Sequence, residues 1–368
     1  MVIMWNAAGS KILAGIDPKC PYVAGNDLAR AEAQKFVERL GPAVSGIDPR
    51  GIIRYQDDVI VLKEFEAPFR GALNKLIISD KDLFERYAAR TGRPFSTYSF
   101  VAQYLWTGLL DYYWKIIDDN FCLYCATGET IFMPLPPLGA NMSEEALRES
   151  FTLMEELNTV ASASRIEEIG RKEADRLAGA GYRIAEKGSE YICERDALAL
   201  LAGDRYKAKR ALCNHFIGNN SFEYRRLRAD DLPGCRALFE RWKGARLAAH
   251  RDSYYTALIE DSTAAHRKVF ERAADLGLEG RVVMIAGTVA AYTFGYPLKE
   301  DTFVVLFEVA DLAVKGLAQF IFREFCRELT AYPLINLMDD SGLANLRAVK
   351  LSYHPIEVRK SFSAYRCS

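Results

Sequence analysis

The chain has 368 residues, of which 50% are hydrophobic, so it is long enough to bury more than one core. Its formal net charge is −1, which excludes an overall electrostatic attraction to nucleic acid or anionic lipid. Eight cysteines lie without regular spacing, and the one CxxC, Cys122 and Cys125, falls in a strand pattern that sends its sulfurs to opposite faces. We therefore predict no metal site and a reducing, cytoplasmic location.

Residues 1–65 carry the least legible pattern, and we treat them as an N-terminal extension. They contain the turn-forming tetrapeptide GIDP twice, separated by a helical stretch that Asn26 could cap. The first residues lack the basic start and long apolar run of a signal peptide. The longest apolar stretch, residues 282–298, is interrupted by glycine and proline and is too short for a bilayer. We predict no membrane-spanning segment.

Residues 66–204 are predicted to form a first α/β unit. One helix begins near Ser79 and ends at Gly92, and an aromatic-rich helix is predicted over 98–110. The pattern then changes to period two, which indicates three strands within 112–137, with turns at 118–120 and 127–128. The unit is completed by two helices and a hairpin, predicted over 143–158, 165–181 and 182–195.

Residues 205–368 are predicted to repeat a similar order of elements. The predicted strands and helices are a strand over 222–227, helices within 230–276, a hairpin over 280–295, a strand over 302–309, a helix over 316–329, a strand over 333–338, a helix over 342–353 and a strand over 356–362. The hairpin turns at Ala286–Gly287. The pattern therefore predicts a mixed α/β protein of two tandem units that join near residues 200–220.

Charged residues and a glycine interrupt the chain where the strand over 302–309 ends. Glu308 lies in the otherwise apolar strand, and Asp311, Lys315 and Gly316 follow before the next helix. The helix N-terminus would present free N–H groups, the glycine would allow a close approach, and the lysine would add positive charge. This arrangement suits a pyrophosphate or the terminal phosphate of a tRNA. The alternative is a tight turn beside a solvated lysine.

Polar residues also follow the neighbouring strand. Asn336 and Asp340 lie at its end, and the next helix carries Arg347 and Lys350 three residues apart, with Tyr353 three further on. Open α/β sheets bind ligands in a crevice at such strand ends. We therefore expect these side chains to converge with those of the preceding strand on one substrate-binding crevice.

A basic segment spans residues 204–252. It contains twelve lysines and arginines against six acidic residues, a local excess of six positive charges. Aromatic residues are interleaved with the charges, which is typical of nucleic-acid recognition. The candidates for contacts to the acceptor arm of an aminoacyl-tRNA are Tyr206, Lys207, Lys209 and Arg210. The alternative is a solvated helix face whose arginine stems cover apolar neighbours.

The C-terminal order of hairpin, strand, helix, strand and helix resembles the acyltransferase fold of the GNAT superfamily. Gly316 and Ala318 match the end of that superfamily's phosphate loop, and Asn345 and Ala348 match its later Asn-x-x-Ala. Ala313 stands where the superfamily usually has arginine or glutamine, and Tyr353 falls one residue later than the usual acid tyrosine. The resemblance implies that Lys315, Gly316 and Ala318 bind the phosphates of a co-substrate.

A closer resemblance covers residues 70–366. Four segments in order, beginning at Ser79, Tyr206, Phe307 and Leu334, resemble a bacterial family of unknown function that shares the C-terminal catalytic domain of phosphatidylglycerol lysyltransferases. That family implies two tandem GNAT-like domains, each a mostly antiparallel sheet flanked by helices, here 66–204 and 205–368. It also implies acyl or aminoacyl transfer, with acyl-CoA or aminoacyl-tRNA as co-substrate and no tightly bound cofactor.

Acyl transfer needs a base for the nucleophile and an acid for the leaving group. Glu308, desolvated in its strand, is the candidate base, and Tyr353 is the candidate acid. Asp311 or Asp340 would recognise an ammonium group, and Arg347 or Lys350 a carboxylate or phosphate. We predict transfer to an amine or hydroxyl of a small-molecule or peptide acceptor.

Two alternatives stay open. In one, Glu308 and Lys350 form a buried ion pair and Tyr353 fills the core. In the other, a degenerate acyltransferase fold senses a nucleotide, polyamine or amino acid without turnover, which Ala313 favours.

Overall fold

The computed structural model describes residues 73–127, 130–249 and 253–367, and before them the backbones of five short strands. These are β1 (Val2–Trp5), β2 (Lys11–Ala14), β3 (Val44–Ile47), β4 (Ile52–Tyr55) and β5 (Asp58–Val61). Strand β1 pairs with β2, and β3, β4 and β5 form an antiparallel sheet. The helix predicted after Asn26 lies outside the described residues.

The first described layer is a four-stranded antiparallel sheet with helices packed on it. Its strands are β6 (Asn74–Lys75), β7 (Asp111–Ile117), β8 (Asn120–Thr127) and β9 (Thr130–Phe132), and the helices are α1 (Lys81–Arg90), α2 (Phe100–Tyr104) and α3 (Glu144–Leu157). The three predicted strands and two of the predicted helices are confirmed. The aromatic helix is shorter than predicted, because the Ser99 hydroxyl caps it at 3.3 Å from the Ala102 nitrogen and turns follow Tyr104.

The prediction of one helix over 165–181 was wrong. The chain forms a strand, β10 (Arg165–Ile169), and then a shorter helix, α4 (Arg171–Gly179). The Met133 backbone forms two hydrogen bonds with β10, each at 2.9 Å. The Met133 N–H donates to the Arg165 carbonyl, and the Met133 carbonyl accepts from the Glu167 N–H. Because Arg165 bonds Glu167 at 2.6 Å, these charges are tolerated in a buried strand whose polarity suggests a surface helix.

The prediction of a hairpin over 182–195 was also wrong. A single strand, β11 (Arg183–Glu194), runs through this stretch. Gly188, which suggested the turn, instead follows a shift of register between Glu186 and Gly188 where β11 pairs with the last strand. Glycine is common at such bulges because it lacks a side chain to pack.

The remaining elements follow the predicted order, with an additional helix pair at the join. They are α5 (Arg195–Leu200), α6 (Lys207–Asn219), β12 (Phe222–Arg226), α7 (Leu232–Ala249), α8 (Ser253–Leu276), β13 (Glu279–Ile285), β14 (Thr288–Lys299), β15 (Thr302–Ala310), α9 (Leu317–Glu328), β16 (Leu334–Asp339), α10 (Ala344–Leu351) and β17 (Glu357–Tyr365). The hairpin turn at Ala286–Gly287 is confirmed, with φ of 48° and 76°.

An eight-stranded sheet contains most of these strands, in the order β10-β17-β11-β16-β15-β14-β13-β12. Every neighbouring pair is antiparallel except β15 and β16. The C-terminal strand β17 therefore lies between β10 and β11, and an isolated bridge from Met133 to Ile166 leads to the first sheet. The mixed α/β class is confirmed, while the division at residues 204 and 205 stays a prediction.

Helices cover both faces of the sheet around β14 and β15. Helix α9 packs against α5, α6 and the strands β13 to β15, whereas α7 packs against β14 and β15. Ala291 and Ala310 belong to the apolar cluster under α9, while Tyr292 and Val309 belong to the main core with α7. Strand β15 thus separates two buried environments, and successive side chains along it enter different ones.

Candidate active site

Glu308 lies near the end of β15, on its α9 side, and is partly buried. Among the described residues its carboxylate accepts no hydrogen bond and forms no ion pair. Burial raises the pKa of Glu308 to about 8, and the positive charge of Lys209 only partly opposes this shift. At neutral pH the group therefore holds a proton most of the time, and it can exchange that proton near physiological pH.

Tyr353 and Lys209 lie close enough to this carboxyl group for electrostatic interaction with it. The Tyr353 ring is 8% exposed, and its centroid lies 4.7 Å from the Phe322 ring. The Lys209 ammonium lies 3.6 Å from the Tyr353 ring centroid and donates to the Ser352 hydroxyl at 2.8 Å. Burial raises the pKa of Tyr353, so its hydroxyl keeps its proton, and burial lowers the pKa of Lys209. A carboxyl group, a phenol hydroxyl and an ammonium group are thus partly desolvated in one region of the protein, and the catalytic roles of Glu308 and Tyr353 stay predictions.

The four residues predicted to bind nucleic acid differ in what they contact. Tyr206 is 1% exposed and donates to the Tyr353 carbonyl at 2.9 Å, and Arg210 donates to the Gly203 carbonyl at 2.5 Å. Lys209 points inward, as described above. Lys207 is exposed on the first turn of α6. Stacking of Tyr206 on a nucleobase would require this ring to leave the core, and the nucleic-acid roles stay predictions.

The loop between β15 and α9 is held by its own polar groups. The Asp311 carboxylate accepts from the Ala313 nitrogen at 2.9 Å, and Asp311 donates its backbone N–H to the Ala290 carbonyl at 2.8 Å. Lys315 is exposed, and Ala318 packs against the apolar cluster under α9. The proposed ammonium-binding role of Asp311 and the phosphate-binding roles of Lys315 and Ala318 stay predictions.

The backbone conformation and the close packing at Gly316 require a glycine at this position. Its φ is +84°, and a Cβ at this position would lie 2.1 Å from the Leu212 carbonyl oxygen. The backbone of α6 therefore occupies the space beside Gly316 where we expected a phosphate to approach. The backbone N–H groups of Asp311, Val314 and Leu317 already donate to carbonyl oxygens of the protein, and the phosphate-binding role of Gly316 stays a prediction.

Asn336 binds a buried carboxylate that the sequence did not suggest. The Asn336 side chain donates to Glu190 on β11 at 2.6 Å, and the Ser96 backbone N–H donates to the same carboxylate at 3.0 Å. The Ser96 hydroxyl donates to it as well. Burial raises the pKa of Glu190 to about 7, although the hydrogen bonds from Ser96 and Asn336 oppose the shift. Glu190 was missed because its partners lie far away in the sequence.

We expect Glu190→Ala to destabilise the protein by about 2–4 kcal/mol, because the Ser96 and Asn336 donors would lose their acceptor inside the core. Denaturant unfolding monitored by circular dichroism measures this change. The matched control is Glu186→Ala on the same strand, where the exposed carboxylate pairs with Lys360 at 2.8 Å and the loss should stay below about 1 kcal/mol. Equal losses in the two variants would contradict a buried role for Glu190.

Asp340 and Lys350 stabilise the chain where β16 ends. Asp340 accepts from the Gly342 nitrogen at 3.0 Å and from the Tyr191 hydroxyl, and burial together with this bond raises the pKa of Tyr191 to about 12. Lys350 donates to the Leu337 carbonyl at 2.6 Å and to the Asp339 carbonyl. The alternative of a Glu308–Lys350 ion pair is therefore not formed. Arg347 is exposed, and its substrate-binding role stays a prediction, as do those of Asp340, Asn336 and Lys350.

A buried group of four charged residues lies beside Glu190, on β10 and β11. The Lys187 ammonium is 3.3 Å from Glu167 and also pairs with Glu168, while Arg165 bonds Glu167. Burial lowers the pKa of Lys187, but the two carboxylates raise it by more, so the net shift of this pKa is upward. Glu168 adopts a left-handed φ of 53°. This group was missed because its strand was predicted as a helix.

The described part of the chain contains neither a metal-binding cluster nor a membrane-spanning helix. In residues 73–367, with the gaps given above, no three histidine, cysteine, aspartate or glutamate side chains are grouped to hold a metal ion. Within the same part of the chain, every helix is too short or too polar to cross a bilayer.

The mixed, mostly antiparallel sheet with helices on its faces gives the protein a GNAT-like fold. The sequence matches the family described as phosphatidylglycerol lysyltransferase, C-terminal, over residues 89–365, and the chain belongs to this family. A search of curated proteins gave no match. Family and fold together indicate a transferase of the GNAT-like type.

Solved structures share this fold. A conserved protein of unknown function from Bacteroides thetaiotaomicron is 24% identical and has a TM-score of 0.72, and the alignment covers 80% of this chain and 99% of that one. L-PGS from Bacillus licheniformis is 16% identical with a TM-score of 0.54, covering 78% of this chain and 92% of that one. FemX is 10% identical with a TM-score of 0.51, covering 79% and 96%. At these identities the similarity concerns the fold alone.

Proposed function

We propose that this chain transfers an acyl or aminoacyl group to an amine or hydroxyl, with Glu308 as general base. The observation that supports this is a carboxyl group without a protein partner in the described residues, whose pKa burial raises to about 8. A base with such a pKa is well matched to an ammonium nucleophile at physiological pH. A glutamate that only stabilised the fold would be expected to have a hydrogen-bond or ion-pair partner.

The reaction is an exchange of one acyl bond for another. The acceptor nitrogen or oxygen loses its proton to Glu308 and bonds to the acyl carbon, and the bond from that carbon to the donor oxygen or sulfur breaks. Tyr353, whose hydroxyl stays protonated, gives a proton to the leaving atom and is reprotonated from solvent. Lys209, beside the Tyr353 ring, offsets negative charge that develops during this transfer.

We propose aminoacyl-tRNA as the donor, in preference to acyl-CoA. The family's description as a lysyltransferase supports this, as does the positive charge of the basic segment. The position of the Leu212 carbonyl beside Gly316 disfavours the close phosphate approach that a CoA-dependent loop would use. The acceptor would be a small molecule or a peptide.

The donor is tested by native mass spectrometry of the purified protein with coenzyme A thioesters and charged total tRNA in parallel. We expect charged tRNA to be retained, to dissociate at higher salt, and to bind at least fivefold more weakly after Lys207→Glu. The matched control is Lys172→Glu, an exposed lysine on α4 outside the basic segment. Retention of a thioester instead would contradict the tRNA donor, and retention of neither would favour a sensor.

A further inference from the structure

The turn after α10 carries Tyr353 and has an unusual backbone conformation. His354, the next residue, has a left-handed φ of 53°. Residues other than glycine rarely adopt this conformation, and they keep it only where the surrounding structure fixes the backbone. Contacts from other elements must therefore hold Tyr353 and His354 in place.

Tyr206, just before α6, makes two of these contacts. Its hydroxyl donates to the Tyr353 carbonyl at 2.9 Å, and its ring packs edge to face on the His354 ring, with the centroids 5.2 Å apart. Tyr206 is 1% exposed, so water does not compete for this hydrogen bond. The Cys193 thiol lies 3.8 Å from the same carbonyl oxygen. Protein groups thus surround the Tyr353 carbonyl.

Helix α6 also holds the residue before Tyr353. Lys209 donates to the Ser352 hydroxyl at 2.8 Å, and its ammonium lies 3.6 Å from the Tyr353 ring centroid. Arg210 in turn donates to two carbonyls of the turn that precedes Tyr206. The start of the basic segment therefore contacts three consecutive residues of the turn after α10, and it is itself fixed by hydrogen bonds.

We propose that Tyr206 is a positioning residue for acyl transfer, which acts through its hydrogen bond to the Tyr353 carbonyl and holds the Tyr353 hydroxyl at the leaving atom of the donor. This inference rests on the proposed function, in which Tyr353 is the acid. A shift of the Tyr353 backbone would move the hydroxyl away from that atom, and misplacement of a reacting group by about 1 Å can lower a rate about 100-fold. Lys207, which is exposed, remains for contact with nucleic acid.

The test is Tyr206→Phe, which removes the hydroxyl and leaves the ring. We expect kcat of aminoacyl transfer to fall about tenfold while KM for charged tRNA changes less than twofold, because the exposed donor-binding surface is unchanged. The matched control is Tyr98→Phe. Tyr98 is also a buried tyrosine whose hydroxyl donates to a backbone carbonyl, that of Glu168, at 2.8 Å. The control should lose similar stability and keep kcat within twofold of the wild-type value.

A double-mutant cycle with Tyr353→Phe separates positioning from a general loss of stability. If Tyr206 acts through the Tyr353 hydroxyl, Tyr206→Phe should change kcat less than twofold once that hydroxyl is removed. Two effects that simply multiply would overturn the proposal, as would a wild-type kcat in Tyr206→Phe. Full activity of Tyr353→Phe would overturn the acid itself, and this failure of the proposed function is distinct from the other two results.

Hydrogen exchange tests the same contact without turnover. The backbone N–H groups of Ser352, Tyr353 and His354 donate to carbonyls of α10 within 3.1 Å. Mass spectrometry should find that the peptide spanning these residues exchanges at least fivefold faster in Tyr206→Phe than in the wild-type protein, and at the wild-type rate in Tyr98→Phe. Wild-type exchange in Tyr206→Phe would show that this hydrogen bond does not hold the turn. It would overturn the proposal even if the chain had no acyl-transfer activity.

Discussion

Glu308→Gln is expected to lower kcat by about 10²- to 10⁴-fold while donor binding changes less than twofold, because an amide has the size of the carboxyl group but cannot take a proton. The measurement is release of labelled amino acid from charged tRNA in the presence of a panel of primary amines and alcohols. Glu300→Gln, the same substitution at an exposed position just before β15, is the matched control and should keep full activity. Full activity of Glu308→Gln would eliminate the proposed base.

The pH dependence of the wild-type rate should reflect ionisation of the same carboxyl group. Only the ionised carboxylate accepts a proton, so the rate should rise about tenfold per pH unit below the Glu308 pKa of about 8 and level off above it. A profile that is flat between pH 6 and 9, in an enzyme limited by chemistry, would contradict the assignment. If the chain is a sensor, donor binding will occur with no turnover at any pH.

Stability offers a check of Glu308 that does not depend on activity. Its pKa is raised from 4.5 in the unfolded chain to about 8 in the fold, so the folded state binds more protons between these values. The wild-type protein should therefore lose stability as the pH rises from about 4.5 through 8. Glu308→Gln has no carboxyl group at this position, so its stability should not show this pH-dependent loss. The Tm of Glu308→Gln minus the Tm of the wild-type protein is expected to increase from about pH 4.5 to about pH 8 and to stay constant above about pH 8.

Gly316→Ala is expected to destabilise the protein by about 3–5 kcal/mol. The left-handed φ of +84° costs a side-chain residue about 1–2 kcal/mol, and the new Cβ would overlap the Leu212 carbonyl oxygen, which must move with helix α6. Denaturant unfolding with a constant m-value measures the loss. Because α6 also carries Lys209, we expect the variant to lose activity even where it stays folded.

The control for this substitution is Gly181→Ala. Gly181 has a similar φ of +89°, but an added Cβ there would meet no atom within 4 Å, so only the conformational cost of about 1–2 kcal/mol applies. The difference between the two variants isolates the contact between Gly316 and α6. Equal losses at the two positions would show that α6 does not pack closely against this loop.

Residues whose neighbours in sequence are also their neighbours in space were predicted well. The hairpin at Ala286–Gly287 follows from a glycine that accepts positive φ between two apolar strands, and the strand–helix–strand order from β15 to β16 follows from the change of hydrophobic period. The candidates Glu308 and Tyr353 also came from local patterns. In the structure Lys209 lies beside the Tyr353 ring, and Glu308 is close enough to both for electrostatic interaction.

Predictions that depended on distant partners failed or stayed incomplete. Strand β10 looks helical because Arg165, Glu167 and Glu168 are charged, and only pairing with Met133 and Lys187 makes a buried strand of them. Likewise, the sequence around Glu190 does not predict that Ser96 is its hydrogen-bond partner. The sequence around Lys209 does not predict that its ammonium group points inward toward Tyr353.

By itself, the sequence determined the mixed class, most element boundaries of the C-terminal half, the family and the candidate base, because periodicity, turn residues and motifs are local properties. Only the tertiary structure decided which charges are buried and paired, that β17 lies between β10 and β11, and that the α6 backbone packs against Gly316. Burial and pairing arise from contacts between residues far apart in the chain, and these contacts set the pKa values from which the chemistry follows.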